Sequence, residues 1–485
     1  AFMESILLLC AVVIVICIVA SRLSQRLGVP ALLLFLALGM LFGSDGLFRI
    51  PFDNFEAAER ICSVALIFIM FYGGFGTRWE AARPAAARAV VLSTLGVAVT
   101  ALLTALFCHF ALGFSVLESF LTGAVISSTD AASVFSILRS KKLGLRNHTA
   151  SLLEVESGSN DPTAYMLTIA IIGLMTAPDS GFLSFVMMFV VQFSVGGVLG
   201  FAFGFAGAWV TNRIKLNSDG LYPVVAATIA ALIYSAVQIM HGNGFLGIYV
   251  AGMVMGNVKL AHKVSLVRFF DGFSWLMQIL VFVTLGLLVF PSQLPSVWLP
   301  AITISVMLMF VIRPAAVFLT LLPFKYPRNA RLLISWVGLR GASSIVFASY
   351  ALSNSLPNAD VIFNMVFFIS LTSVILQGSL LAPVASLLDQ LDREDKTLVS
   401  RGFTDYEEEL QGTLYELRAV KGSPAVGMAV QEMKFPESVR IMLISRGSGT
   451  LTPTGKTRIK EGDMLMVTAE NTGVLLALKE RLGLA

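Results

Sequence analysis

Thirteen predominantly apolar stretches follow one another between residues 4 and 388, most of them long enough to cross a lipid bilayer. They lie near 4–22, 30–43, 57–75, 86–111, 116–139, 149–175, 182–211, 221–240, 244–257, 264–290, 297–322, 330–352 and 361–388. A helix needs about 20 apolar residues to span the hydrocarbon core, and there every backbone N–H and C=O has to be bonded inside the protein. The pattern predicts an all-α polytopic membrane protein. Composition agrees: 56% of residues are hydrophobic and 13% charged, where a soluble domain carries about a quarter charged residues.

The loops give the orientation. Alternate loops carry Arg22 and Arg26; Arg78, Arg83 and Arg88; Arg139, Lys141, Lys142 and Arg146; Arg213 and Lys215; Lys259, Lys263 and Arg268; and Lys325, Arg328 and Arg331. The intervening loops are nearly free of Lys and Arg, Arg49 and Arg60 among acidic neighbours being the exceptions. Basic loops stay on the cytoplasmic side. Thirteen spans then place the N-terminus in the periplasm and the C-terminus in the cytoplasm of a bacterial inner membrane. Twelve or fourteen would break the alternation.

A net charge of +4 without a dense basic patch excludes a nucleic-acid partner. Cys10, Cys17, Cys62 and Cys108 all lie in apolar stretches and read as neither a disulfide framework nor a metal site. The transmembrane domain is expected over 1–388. Residues 389–409 are charged and suit an amphipathic linker at the membrane surface. Residues 410–485 read as a small α/β domain. QGTLYELRAV and RIMLISRG are its strands, and SPAVGMAVQEMKF between them a short helix. TRIKEGDMLMVTAE supplies a turn and a further strand, and NTGVLLALKERLG a closing helix. So short a domain buries little core, which predicts pairing with a second copy.

Ionisable residues inside a bilayer are costly and mark function by default. Here they cluster. The fifth span carries Thr129 and Asp130 in AVISSTDAASVF, and the sixth carries Glu154, Glu156, Asn160 and Asp161 in LLEVESGSNDPTAYM. Later spans add Arg313 and Arg340. Glu154 and Asp161, seven apart, share a helix face, whereas Glu156 faces another neighbour. One acid can serve an ion path while another neutralises a buried arginine. SSTDAAS in span five and VGLRGASS in span twelve are poor in helix formers and predict two broken helices. Broken helices in corresponding halves, crossing near the midplane, expose backbone groups to an ion. Two inverted six-helix repeats around span seven would place them so.

TDAASVF followed by ESGSNDPTA resembles the monovalent cation:proton antiporter-1 family, the NhaP-like and eukaryotic sodium/proton exchangers, over about residues 4–390. The resemblance implies a homodimeric antiporter in which the proton- and cation-carrying aspartate is Asp161, with Asn160 beside it and Thr129 and Asp130 on the unwound helix. It further implies Glu156 as a structural acid, with Arg313 as its partner and Arg340 as the alternative. Asp130 has two open roles, ion ligand or half-helix cap, and Ser157 is either a site hydroxyl or a packing one. Pro162 and the small SGS depart from the commoner ESLLND pattern and leave selectivity open between potassium, which is favoured, and sodium.

The tail resembles the C-terminal half of an RCK (TrkA-type) module, and no GxGxxG precedes it. Its strand VRIMLISRG carries Arg440 and Arg446, candidates for pairing a small anionic ligand such as AMP, ATP or a cyclic dinucleotide. No other cofactor is expected, the only metal being the transported cation. The reading is an electroneutral potassium/proton antiporter, not an enzyme, alternating access at one aspartate under tail control. An RCK-regulated potassium channel is the alternative, disfavoured by the lack of a TVGYG-like filter. A non-transporting ion sensor is the other.

Overall fold

The computed structural model of the chain describes residues 2–27, 31–52, 54–130, 134, 144–146, 148–176, 182–260, 262–392, 415–420, 423–433, 435, 439–446, 449–469 and 482. The chain divides into two compact units, Ala1–Ser400 and Arg401–Ala485.

The first unit is helical. It opens with α1 (Phe2–Leu27), α2 (Ala31–Phe42) and α3 (Phe55–Gly76). α4 (Trp79–Val91) passes through a π-turn at Leu92–Gly96 into α5 (Val97–Leu112), and α6 (Val116–Val125) follows. Next come α7 (Thr149–Thr176), α8 (Phe182–Arg213), α9 (Leu221–Ile239), α10 (Gly244–Asn257) and α11 (Lys263–Leu287). α12 (Leu294–Met307) continues through a second π-turn, Leu308–Ile312, into α13 (Arg313–Thr320). The last are α14 (Arg328–Trp336), α15 (Ala342–Ser353) and α16 (Ala359–Leu387).

Seven of the described helices are long and apolar enough to cross a membrane, and five shorter ones are apolar. α7, at 28 residues, is long enough but falls short on hydropathy, because Glu154, Glu156 and Asp161 lie along it. With α7 included, the described helices occupy all thirteen expected segments. Two segments are broken. α6 ends at Val125, and of the rest of its span only Val134 of 131–140 lies among the described residues. α14 and α15 are separated by the non-helical run 337–341.

Next to the breaks, one apolar core gathers Ala85 and Leu92, Leu152 and Val155 of α7, Val317 of α13, Leu333 and Ile334 of α14, and Leu381 of α16. At its edge β1 (Gly144–Leu145) pairs antiparallel with β2 (Leu391–Asp392). Arg146 reinforces the pairing: its N–H donates to the Gln390 carbonyl at 3.0 Å and its Nη1 to Asp389 Oδ2 at 3.0 Å. The start of the expected linker is therefore a turn at Asp389 and a short strand bound to the segment that leads into α7. Residues 393–409 of that linker lie outside the described residues.

The second unit is an antiparallel sheet of β3 (Tyr415–Arg418), β4 (Val439–Arg446), β5 (Gly449–Leu451) and β6 (Met464–Ala469), in the order β3-β6-β4-β5. Leu417, Val439, Ile444, Leu465 and Val467 form its buried face. One expectation is corrected. SPAVGMAVQEMKF is not an α-helix but a run of turns ending in a 3-10 turn, Val430–Met433. Gly427 takes φ +91, and the N–H groups of Val430 and Gln431 donate to Thr457 and Gly455 carbonyls instead of to the preceding turn. Of the expected closing helix only Leu482 lies among the described residues.

Candidate ion-binding site

The two breaks face each other. α6 begins with a capping box, Ser115 with Glu118, and unwinds after Ile126. Its C-terminal carbonyls then need partners, because the last turn of a helix leaves its C=O groups unbonded and concentrates negative dipole there. Arg340, from the other break, meets that need: its Nη1 donates to the carbonyls of Ser127 at 2.8 Å and Ser128 at 2.7 Å. The Asp130 N–H donates to the Leu339 carbonyl at 2.8 Å, so backbone binds backbone where the segments cross. Gly341 makes the approach close enough, and Gly338 leaves room for the Arg313 side chain. A Cβ on Gly338 would stand 2.8 Å from Arg313 Nε, and one on Gly341 would collide with the Asp130 side chain.

α7 lies against this crossing. Asp161 Oδ1 accepts a hydrogen bond from Ser128 Oγ, and Ser128 Oγ lies 3.1 Å from Ser343 Oγ at the start of α15. One carboxylate thus touches hydroxyls that belong to both broken segments. Beside it, Asn160 Nδ2 donates to Thr129 Oγ1, while buried Asn160 Oδ1 has no hydrogen-bond partner among the described residues. Ser157 Oγ donates to the Thr129 carbonyl at 2.8 Å. Pro162 has no N–H to give to the Gly158 carbonyl one turn earlier, and its own carbonyl accepts from Nδ2 of Asn243, the N-cap of α10, at 3.0 Å. Asp161, Asn160, Thr129 and Ser157 are brought together, with the Asp130 backbone at the crossing.

Glu156 turns the other way. It accepts from Arg313 Nη2 of α13, and the two side chains are 1% and 2% exposed. Arg340 is equally buried but serves the half-helix, so the two arginines divide the work. Glu154, at the opposite end of the Asp161 face, is exposed.

Sequence reasoning missed Ser128, Ser343 and Asp271. The serines are two hydroxyls among many in apolar helices, and only the crossing selects them. Asp271 lies within α11, where it accepts from Tyr72 Oη of α3 at 3.0 Å. An acid inside an apolar run was the available signal. In the tail, Arg446, a candidate phosphate-pairing group, is engaged within the domain. It is bidentate to Asp463, Nε to Oδ1 at 2.8 Å and Nη2 to Oδ2 at 2.7 Å, and also donates to the Arg458 carbonyl. Arg440 lies in β4, and its side chain is outside the described residues.

Crossed, broken helices around an intramembrane carboxylate define a carrier of small cations. The chain belongs to the sodium/hydrogen exchanger transmembrane family, which it matches over residues 11–387, and it carries a TrkA-C domain over 414–482. It is similar to the K(+)/H(+) antiporter NhaP of Alkalimonas amylolytica, 41% identical over 79% of this chain and 66% of that one. It is 35% identical to the K(+)/H(+) antiporter NhaP2 of Shewanella sp. strain MR-4, over 96% of this chain and 81% of the relative. Its fold is that of the sodium proton antiporter MjNhaP1 of Methanocaldococcus jannaschii, with a TM-score of 0.70 at 22% identity, covering 80% of this chain and 99% of that one. These relatives are transporters, not enzymes.

Proposed function

We propose that the chain exchanges one potassium ion for one proton across the bacterial inner membrane, by alternating access at Asp161. The observation that carries this reading is the position of Asp161, bonded to Ser128 of one broken helix and next to Ser343 of the other. A carboxylate in that position holds either a proton or a partly dehydrated cation. Both loads compete for the same oxygens, so each leaves when the other arrives. Asn160 Oδ1, which has no hydrogen-bond partner among the described residues, and the carbonyl-rich crossing supply further oxygens to a cation. Monovalent cations are bound by just such neutral oxygens with a single charge. Asn160 beside one aspartate means one charge in each direction, hence electroneutral exchange.

Potassium is preferred to sodium here because the two curated relatives above are named as potassium/proton antiporters. The test is proton flux in inside-out vesicles holding the protein, started by potassium or by sodium. The reading expects potassium to collapse an imposed pH gradient at lower concentration than sodium. A response to sodium alone contradicts the assignment.

The same reading takes the protein as a homodimer with a periplasmic N-terminus and a cytoplasmic tail. The TrkA-C domain is proposed to bind a small anion such as AMP, ATP or a cyclic dinucleotide, with Arg440 and Arg446 as its candidate partners. The signal would reach the carrier through the β1–β2 pairing and Arg146, which tie the start of the linker to the approach to α7.

A further inference from the structure

On the Glu154 side of Asp161 the α7 face is open. Glu154 is exposed, and Ser157, Gly158 and Asp161 are half-buried. On the other side it is shut. Tyr165, one turn beyond Asp161, sits at 4.9 Å from Phe245 of α10, 5.9 Å from Phe347 and 5.6 Å from Tyr350 of α15, measured between ring centroids. All four rings are buried. Above them a hydroxyl pair joins α15 to α3, Ser63 Oγ and Tyr350 Oη lying 2.6 Å apart, and at the end of α15 Ser353 Oγ donates to the Phe55 carbonyl at 3.5 Å.

The placement on α15 matters. Ser343, Phe347 and Tyr350 follow at intervals of four and three residues and share one helix face. The face that offers Ser343 to the ion site therefore also carries the closing rings. α7 and α15 bear the site, whereas α3 and α10 supply the surface against which it is closed. α15 runs from the crossing toward a loop, 354–358, that has no Lys or Arg, and α3 starts from the acidic loop before it. By the charge of the loops, the closed side is the periplasmic one.

Resting on the antiport reading, we propose that the Ser63–Tyr350 hydrogen bond and the ring layer of Tyr165, Phe245 and Phe347 form the outer gate of the transporter. The bond is made only while Asp161 faces the cytoplasm, and it must break before Asp161 meets the periplasm. It therefore sets the fraction of molecules whose site is open outward. Apparent affinity for a ligand falls in proportion to the fraction of the protein in the competent state. Weakening the clasp raises that fraction and improves apparent affinity on the outer face alone.

The test is cation-driven proton flux in right-side-out and inside-out vesicles carrying the full chain, with apparent KM measured from each face. Tyr350→Phe keeps the ring and removes the hydroxyl, Ser63→Ala removes its partner, and Ser63→Thr keeps a hydroxyl as the control. Both deletions are expected to lower the outer KM about fivefold, the factor carried by one net hydrogen bond. The inner KM stays unchanged, and Ser63→Thr behaves as wild type. An outer KM that does not move, or a KM that shifts on both faces, overturns the gate. Wild-type vesicles with no cation-driven flux from either face instead overturn the antiport reading on which the gate rests.

Discussion

Two arginines buried in one membrane domain require two different explanations, and the structure supplies them. Arg313 carries the charge of Glu156, and Arg340 holds the open end of a half-helix through two carbonyls. Removing either member of the Glu156–Arg313 pair strands the other as a buried charge, a loss of about 3–5 kcal/mol. Glu156→Gln and Arg313→Met are each expected to lower the melting temperature of the purified protein. The double variant should lose much less than the sum, because both charges go together. Additive losses would mean that the pair does not interact. The same residues show what the sequence could and could not tell. Asp161, Asn160 and Glu156 were legible because acids and amides are conspicuous in an apolar run. The choice between Arg313 and Arg340 was not, since it depends on where each side chain lies once the helices have packed. Ser128 and Ser343 were hidden for a related reason: a hydroxyl becomes a site group only through what it faces.

At the scale of elements, apolar length set the spans and poor helix formers set the breaks. Both signals are local, and both segments appear where the chain calls for them. The tail is different. SPAVGMAVQEMKF has the apolar spacing of a helix, but the N–H groups of Gly427, Val430 and Gln431 are taken by carbonyls of the segment 455–459, a long-range pairing that no local pattern reveals. That segment leads to the turn where Gly462, at φ +85, sets up Asp463. Asp463 is fully buried and is held below the ordinary carboxylate range by its bonds to Arg446, with help from the Lys460 N–H at 2.8 Å. Because folding lowers this pKa, the unfolded tail takes up a proton first as pH falls. The stabilisation is complete above the ordinary carboxylate pKa and disappears as pH drops through the folded value. Asp463→Asn is expected to lower the tail's melting temperature at neutral pH and to narrow the difference from wild type under acid conditions. An equal difference at every pH would contradict the role given to the charge.

For the whole molecule, the membrane unit belongs to the sodium/hydrogen exchanger family and the second unit carries a TrkA-C domain. Under the proposed mechanism, a single aspartate beside a neutral asparagine would make the exchange one for one. Initial rates in potassium-loaded vesicles are therefore expected to be independent of an imposed membrane potential. A rate that follows the potential would mean that a second acid, Asp130 or Glu154, cycles a charge as well. The central claim is that Asp161 carries both the proton and the cation, and Asp161→Asn addresses it most directly. The substitution keeps the shape and a hydrogen-bonding oxygen for Ser128 but removes the titrating charge. Reconstituted and folded as the wild type, the variant is predicted to leave an imposed pH gradient untouched when potassium is added. If the gradient still collapses at a rate near that of the wild type, Asp161 is not the carrier.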